Sequence, residues 1–229
     1  LYILLSDLYL QLDESQTAET YARKALELGP RNAFALYYNG LVSTASGDTT
    51  KAVNHFRKAL KEKAGFTEAK RELSNLLIGR GELEEARKLL NSALADKPAD
   101  GKSWYYKGLL FNELQKSDSA LYSYSKAVGI ADTLQKAHYE AGKLYYQKGN
   151  FEAAITHLKK APASVFSSEQ LVLMLAVAYE RTGENISALE QYQRLGSMQP
   201  DNRLAQQGVA RTKSKLTMPA VVNTNDTIR

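Results

Sequence analysis

The chain contains no cysteine. That excludes disulfides, thiolate nucleophiles and thiolate metal sites. It suits an oxidising compartment such as a bacterial periplasm as readily as a cytoplasm, and it leaves the compartment open. Histidine is scarce as well. His55, His138 and His157 are too few and too scattered for a metal cluster, so neither a metal nor a cofactor is expected. Long hydrophobic runs are missing too: "LVLMLAVAY" at 171–179 falls well short of the ~18 residues of a membrane helix. The opening "LYILLSDLYLQL" is broken by Ser6 and Asp7 and follows no basic region, so it does not read as a signal peptide. The sequence begins at Leu1 without a methionine and reads as a fragment or processed product, with further repeats expected before it. Catalytic signatures are absent: there is no G-x-S-x-G, no P-loop and no H-E-x-x-H, and the "GRG" at 79–81 lacks a strand before it. An enzyme is not expected.

Charge of one sign is not concentrated either. The net charge is +5, but residues 169–202 carry two basic and five acidic side chains whereas 203–229 carry five and one. Alternating blocks do not make the basic stripe of a nucleic-acid protein, so no nucleic-acid partner is expected.

What is present is a period. Ala18, Ala52, Ala86, Ala120, Ala154 and Ala188 stand 34 residues apart without one insertion. Small residues occur twelve positions earlier, at Ser6, Gly40, Ser74, Gly108, Gly142 and Ala176. Large ones follow four positions later, at Phe56, Leu90, Tyr124, Leu158 and Tyr192, with Ala22 in the first unit. Gly47, Gly81, Gly149 and Gly183 mark turns, and Pro30, Pro98 and Pro200 mark stops. The pattern predicts two amphipathic helices per unit that cross where both backbones carry small side chains. One such pair cannot bury its apolar faces alone, so the units must stack.

This pattern resembles the tetratricopeptide repeat, best in "WYYKGLLF" (104–111) with "ALYSY" (120–124), and well in "LYYNG" (36–40) with "AVNHFRKA" (52–59) and "HYEAGKLY" (138–145) with "AAITHLKKA" (153–161). The resemblance implies an all-α, right-handed α-solenoid of stacked antiparallel helix pairs with a C-terminal capping helix. The array is expected over 1–202, with units near 1–32, 33–66, 67–100, 101–134, 135–168 and 169–202. A capping helix is expected at 203–216 and a tail at 217–229. Lys70 departs from the family pattern, standing where Trp or Leu belongs. Trp104, Gly108 and Phe111 occupy packing positions, so core is the expectation for all three. Trp104→Ala is then expected to cost about 3–5 kcal/mol. Pro162 should stop its helix near Lys160.

The resemblance also implies a concave groove lined by the first helix of each unit. Its expected peptide-binding residues are Tyr37, Arg71, Asn75, Lys102, Tyr105, Tyr106, Asn112, Lys136, Tyr139, Lys143 and Tyr146. Tyrosine offers contact area at low entropic cost, and Arg71 and Lys136, both expected to be solvated, would answer carboxylates. The expected partner is a protein or peptide of acidic and apolar character. It is not a chaperone C-terminus, because Glu140 and Tyr106 stand where the family's carboxylate clamp needs a cation and an Asn. Two alternatives stay open: a scaffold that self-assembles into a homo-oligomer through its tail or chain ends, and a helical repeat that reads RNA, though such repeats typically run 35 residues. The tail is expected to fold into a groove, with Val221 and Val222 against tyrosines and 223–226 hydrogen-bonded to groove side chains.

Overall fold

A computed structural model describes residues 1–162, 164 and 168–217; the tail contacts expected of Val221, Val222 and 223–226 therefore lie outside the described residues. Among those residues the regular structure is entirely helical: α1 (Tyr2–Gln11), α2 (Ser15–Leu28), α3 (Ala33–Ala45), α4 (Thr49–Glu62), α5 (Thr67–Gly79), α6 (Leu83–Asp96), α7 (Gly101–Glu113), α8 (Ser117–Ile130), α9 (Gln135–Gln147), α10 (Phe151–Leu158), α11 (Glu169–Thr182), α12 (Asn185–Met198) and α13 (Arg203–Thr217). They fall into two compact units, residues 1–134 and 135–229. In the first, α1–α2, α3–α4, α5–α6 and α7–α8 form consecutive helical hairpins, each packed on the next. In the second, α9–α10 and α11–α12 are hairpins and α13 packs against α12 and α11.

Each hairpin closes at the same place. The six spaced alanines are fully buried, and so are Phe56, Leu90, Tyr124, Leu158 and Tyr192 one turn further along. In the α7–α8 hairpin the facing residue is Gly108, and a Cβ there would overlap the Tyr124 ring. The missing side chain is what lets the ring lie across the crossing.

Some helix starts carry short polar caps. Asn32 accepts from the amides of Phe34 and Ala35, Asp100 from Ser103 and Ser168 from Leu171, filling donors that an α-helix leaves unpaired at its first turn. The turn inside each hairpin needs a left-handed residue. Gly47, Gly81, Gly149 and Gly183 supply it with φ of +75° to +83°. In the other two hairpins the equivalent positions are Asp13 (φ 61°) and Gln115 (φ 56°), which hold the same conformation against their own Cβ.

Helix α10 ends at Leu158, short of the 14-residue partner helices α4, α6 and α8. Pro162 has no amide to offer the Leu158 carbonyl and disfavours helical backbone at Ala161. The last turn tightens instead, with the Lys160 and Ala161 amides bonding three residues back to His157 and Leu158.

Two substitutions should move stability in opposite directions. Gln115→Gly relieves the left-handed strain and should stabilise by about 1 kcal/mol. Ala86→Leu overpacks a fully buried crossing and should destabilise by about 1–3 kcal/mol. Urea midpoints of both variants check this; an unchanged midpoint for Ala86→Leu would remove that residue from the crossing.

Candidate functional site

The residues expected to line a groove sit on the first helix of each hairpin. In the first unit they are Tyr37 on α3, Arg71 and Asn75 on α5, and Lys102, Tyr105, Tyr106 and Asn112 on α7. Contact between α5 and α7 places two of these stripes side by side.

Arg71 is not solvated. Its side chain is 9% exposed. Nε donates to Glu72 at 3.1 Å, and Nη1 reaches both oxygens of Asp100 at 3.3 and 3.4 Å. The Tyr106 hydroxyl donates to Glu72 at 3.2 Å, and the Ser103 hydroxyl donates to Asp100. The expectation of a free cation therefore fails for a physical reason. Asp100 caps α7 and needs a counter-charge once buried, and Arg71 on the neighbouring helix supplies it. Burial works against the charge on Asp100, yet the Ser103 hydrogen bond and the Arg71 guanidinium hold its carboxyl below the ordinary range. Burial, then the Glu72 carboxylate, pushes the Tyr106 and Tyr37 phenols up. Tyr37 is buried against Phe56 and Phe66, with ring centroids at 5.7 and 4.9 Å. Arg71, Tyr106 and Tyr37 are thus built into the fold.

The remaining residues are available to solvent. Lys102 is exposed and has no acidic partner among the described residues. Tyr105, Asn75 and Asn112 are half-buried, and the Tyr105 ring packs at a tilt on Tyr106 with centroids 5.4 Å apart. In the second unit Lys136 is exposed on α9, and Tyr139 is half-buried with the Lys143 ammonium 5.2 Å above its ring. Lys143 also donates to Glu140 at 3.0 Å, and Tyr146 meets Phe151 at 5.8 Å.

Three arrangements lie outside what the repeat pattern alone indicated. The Lys70 ammonium, buried where an apolar residue was expected, donates to Ser92 and Asp96 of α6. His138 on α9 meets His157 on α10 with 3.0 Å between their Nδ1 atoms. In that contact one nitrogen donates and the other accepts, so the two cannot both carry a proton there. No group of three or more metal-ligating side chains occurs among the described residues. Trp104, expected in the core, is half-exposed. Its indole N–H donates to the Pro98 carbonyl at 2.9 Å and its ring meets Tyr122 edgewise. Truncating it should therefore cost less than a fully buried Trp would.

Family models for the tetratricopeptide repeat match residues 3–65, 43–107 and 135–161, together more than half of the chain. The chain belongs to the tetratricopeptide repeat family. Its all-α solenoid fold is shared with Pseudomonas aeruginosa PilF, at a TM-score of 0.78 and 19% identity over 93% of this chain and 96% of that one. Among curated proteins it is 24% identical over 219 residues to the human protein O-mannosyl-transferase TMTC1, covering 90% of this chain and 24% of that protein. It is 25% identical over 174 residues to a Schizosaccharomyces pombe DnaJ homolog subfamily C member 7 homolog, covering 69% and 37% respectively. The chain thus spans about a quarter to two-fifths of these relatives. No described helix is long and apolar enough to cross a membrane.

The tetratricopeptide array of the second unit is closed by a carboxylate. Glu180 on α11 accepts from Tyr192 on α12 at 2.8 Å, from Arg211 on α13 at 3.0 Å through both oxygens, and from Lys215 at 3.1 Å. The Arg211 hydrogen bonds are the main reason its carboxyl falls to about 2. Because the folded value lies below the unfolded one, this contribution is complete above about pH 4.5 and is lost as pH falls toward 2. Glu180→Gln should destabilise by about 1–2 kcal/mol at pH 7, after allowance for solvent screening of the two half-exposed cations. Urea midpoints at several pH values check it: the gap from the parent protein should narrow between pH 4.5 and pH 2.5. A gap independent of pH would show that the carboxylate charge does not hold α13.

Proposed function

We propose that the chain is a non-catalytic interaction scaffold. Its first-helix faces dock a partner peptide carrying apolar anchors and acidic flanks. A protein-interaction role in general follows from the tetratricopeptide repeats. The observation that carries the finer reading is the pairing of solvated lysine with half-buried tyrosine on one helical stripe, Lys102 with Tyr105 on α7 and Lys136 with Tyr139 on α9. Tyrosine gives a rigid amphipathic contact and an unpaired surface ammonium favours carboxylate. Arg71 takes no part in charge recognition, since its charge is already balanced inside the protein. The non-catalytic reading is supported by titratable side chains spent on packing and capping, as with Asp100, Glu180 and His138. The transferase resemblance covers only a quarter of that relative.

Selection of a displayed random dodecapeptide library tests this. Enriched sequences should combine Asp or Glu with aromatic or branched aliphatic residues. Lys102→Glu/Tyr105→Ala or Lys136→Glu/Tyr139→Ala should weaken the best binder at least tenfold with helicity intact. Binding unaltered by both pairs would place recognition elsewhere. Arg71→Glu is unsuitable as a probe because it should unfold the α5–α7 contact, leaving Asp100 buried and unpaired.

A further inference from the structure

The α7–α8 hairpin departs from its sister hairpins at three positions, and the three converge on one cavity. Four residues into the first helix, the other complete hairpins place Leu36, Lys70, His138 and Val172, all buried. Here the residue is Trp104, and it is half-exposed. On the second helix, the position of Tyr122 is occupied elsewhere by Asn54, Lys88, Thr156 and Glu190, polar and exposed as a solvated face requires. Tyr122 is 57% exposed and aromatic. The position of Lys107 is taken in other hairpins by Asn39, Leu73, Ala141 and Leu175. Between these side chains, with Phe111 and Ser119, lies an open cavity of about 390 Å³.

Close packing would be completed at this position by one buried apolar residue, as at Leu36 and Val172. A half-buried Trp104 and an exposed Tyr122 flanking open space make the walls of a cleft, and the volume falls within the range of roughly 300–1,000 Å³ usual for ligand pockets. The two rings meet at 80° with centroids 6.0 Å apart, an edge-to-face contact that makes one wall of the cavity. Hydrogen bonding to Pro98 fixes the indole by its polar edge. The charge is also ordered. Lys107 stands 5.1 Å over the Trp104 ring and Lys126 5.5 Å over the Tyr122 ring, against the single rim carboxylate of Asp118. Burial lowers the Lys107 pKa, and its ammonium donates to the side-chain oxygen of Asn91 at 2.9 Å, with no carboxylate opposing the desolvation. A partly desolvated ammonium of this kind gains most from an incoming anion.

The site is separate from the proposed groove. Trp104, Lys107 and Phe111 follow the i, i+3, i+7 rule along one stripe of α7, whereas Lys102, Tyr105, Leu109 and Asn112 form another, roughly opposite at 100° per residue.

We propose that this cavity is a second recognition site, which takes the aromatic side chain of an acidic peptide against Trp104 and Tyr122 and a neighbouring carboxylate on Lys107. Trp104 is the only tryptophan in the chain, so its fluorescence reports on this cavity alone. The probe is the acetylated, amidated hexapeptide Asp-Glu-Phe-Leu-Asp-Glu, with Asn-Gln-Phe-Leu-Asn-Gln as its neutral counterpart and octauridylate as a nucleic-acid arm. The acidic peptide should shift the emission and at least halve acrylamide quenching at saturation, binding at least tenfold more tightly than the neutral one. Tyr122→Ala and Lys107→Gln should each weaken it at least tenfold, Tyr122→Phe should preserve it, and circular dichroism should show all three folded. Lys102→Glu/Tyr105→Ala should leave it unchanged, so failure of the groove reading and failure of this one are distinguishable. Quenching unprotected at millimolar peptide, equal binding of the neutral peptide, or tighter binding of octauridylate would each overturn the proposal.

Discussion

Two helices joined by a turn of two or three residues can pack along their length only where nothing stands between their backbones. That constraint organises this protein. An alanine on the second helix faces a glycine, serine or alanine on the first, and a large side chain one turn away closes the space beside the crossing. The Tyr124 ring over Gly108 shows how tight the tolerance is, because even one methyl group would overlap it. With the crossing fixed, the turn must reverse direction in two or three residues, which demands left-handed backbone at the same place in each hairpin. Glycine meets that demand four times, and Asp13 and Gln115 meet it at a local cost.

Successive hairpins are then joined by charge. Arg31 pairs with Glu62, Arg57 with Glu82 and Glu85, Arg71 with Asp100, and Glu180 with Arg211. Each pair spans about one repeat. The charge blocks of the sequence are explained by this in part: the acidic 169–202 segment and the basic one after it hold opposite ends of the Glu180 bonds. Exposed pairs such as Arg31–Glu62 add little stability. Those drawn inside the protein matter more, because a buried charge left without its partner is costly.

The frame was legible from sequence because helix crossings act locally and repeat: six alanines at one interval define it. Helix α10 was legible too, since Pro162 acts within one turn of itself. The candidate site was only partly so. Arg71 occupies a groove position by phase, but its fate is decided by Asp100, a residue 29 positions on whose role as a cap gave no hint of a lateral partner. Lys70 was visible as an anomaly, yet its resolution by Ser92 and Asp96 required knowing how α5 lies on α6. Trp104 matched the family's packing position, and the misreading came from treating a shared position as a shared environment. His138 and His157 read as scattered in the sequence, and their contact depends on side-chain directions that spacing alone does not give.

Repetition also supplies its own control. Stability in stacked repeats is close to a sum of unit and nearest-neighbour terms, so one unit can depart from the pattern if its neighbours still hold it. The fourth residue of the first helix shows this directly. Leu36 and Val172 are ordinary core, Lys70 is buried with a carboxylate, and His138 is buried against another histidine. These are three ways of finishing a packed interior. Trp104 does none of them: it hydrogen-bonds at its edge, leaves its face half-open, and has Tyr122 beside it where the other hairpins carry a solvated polar residue. Two departures on facing helices of one hairpin, both toward aromatic surface and both beside a lysine, do not improve the packing of that hairpin. Their physical consequence is a cleft with apolar walls and a positive rim, and the fold's own requirements leave that cleft without a structural purpose.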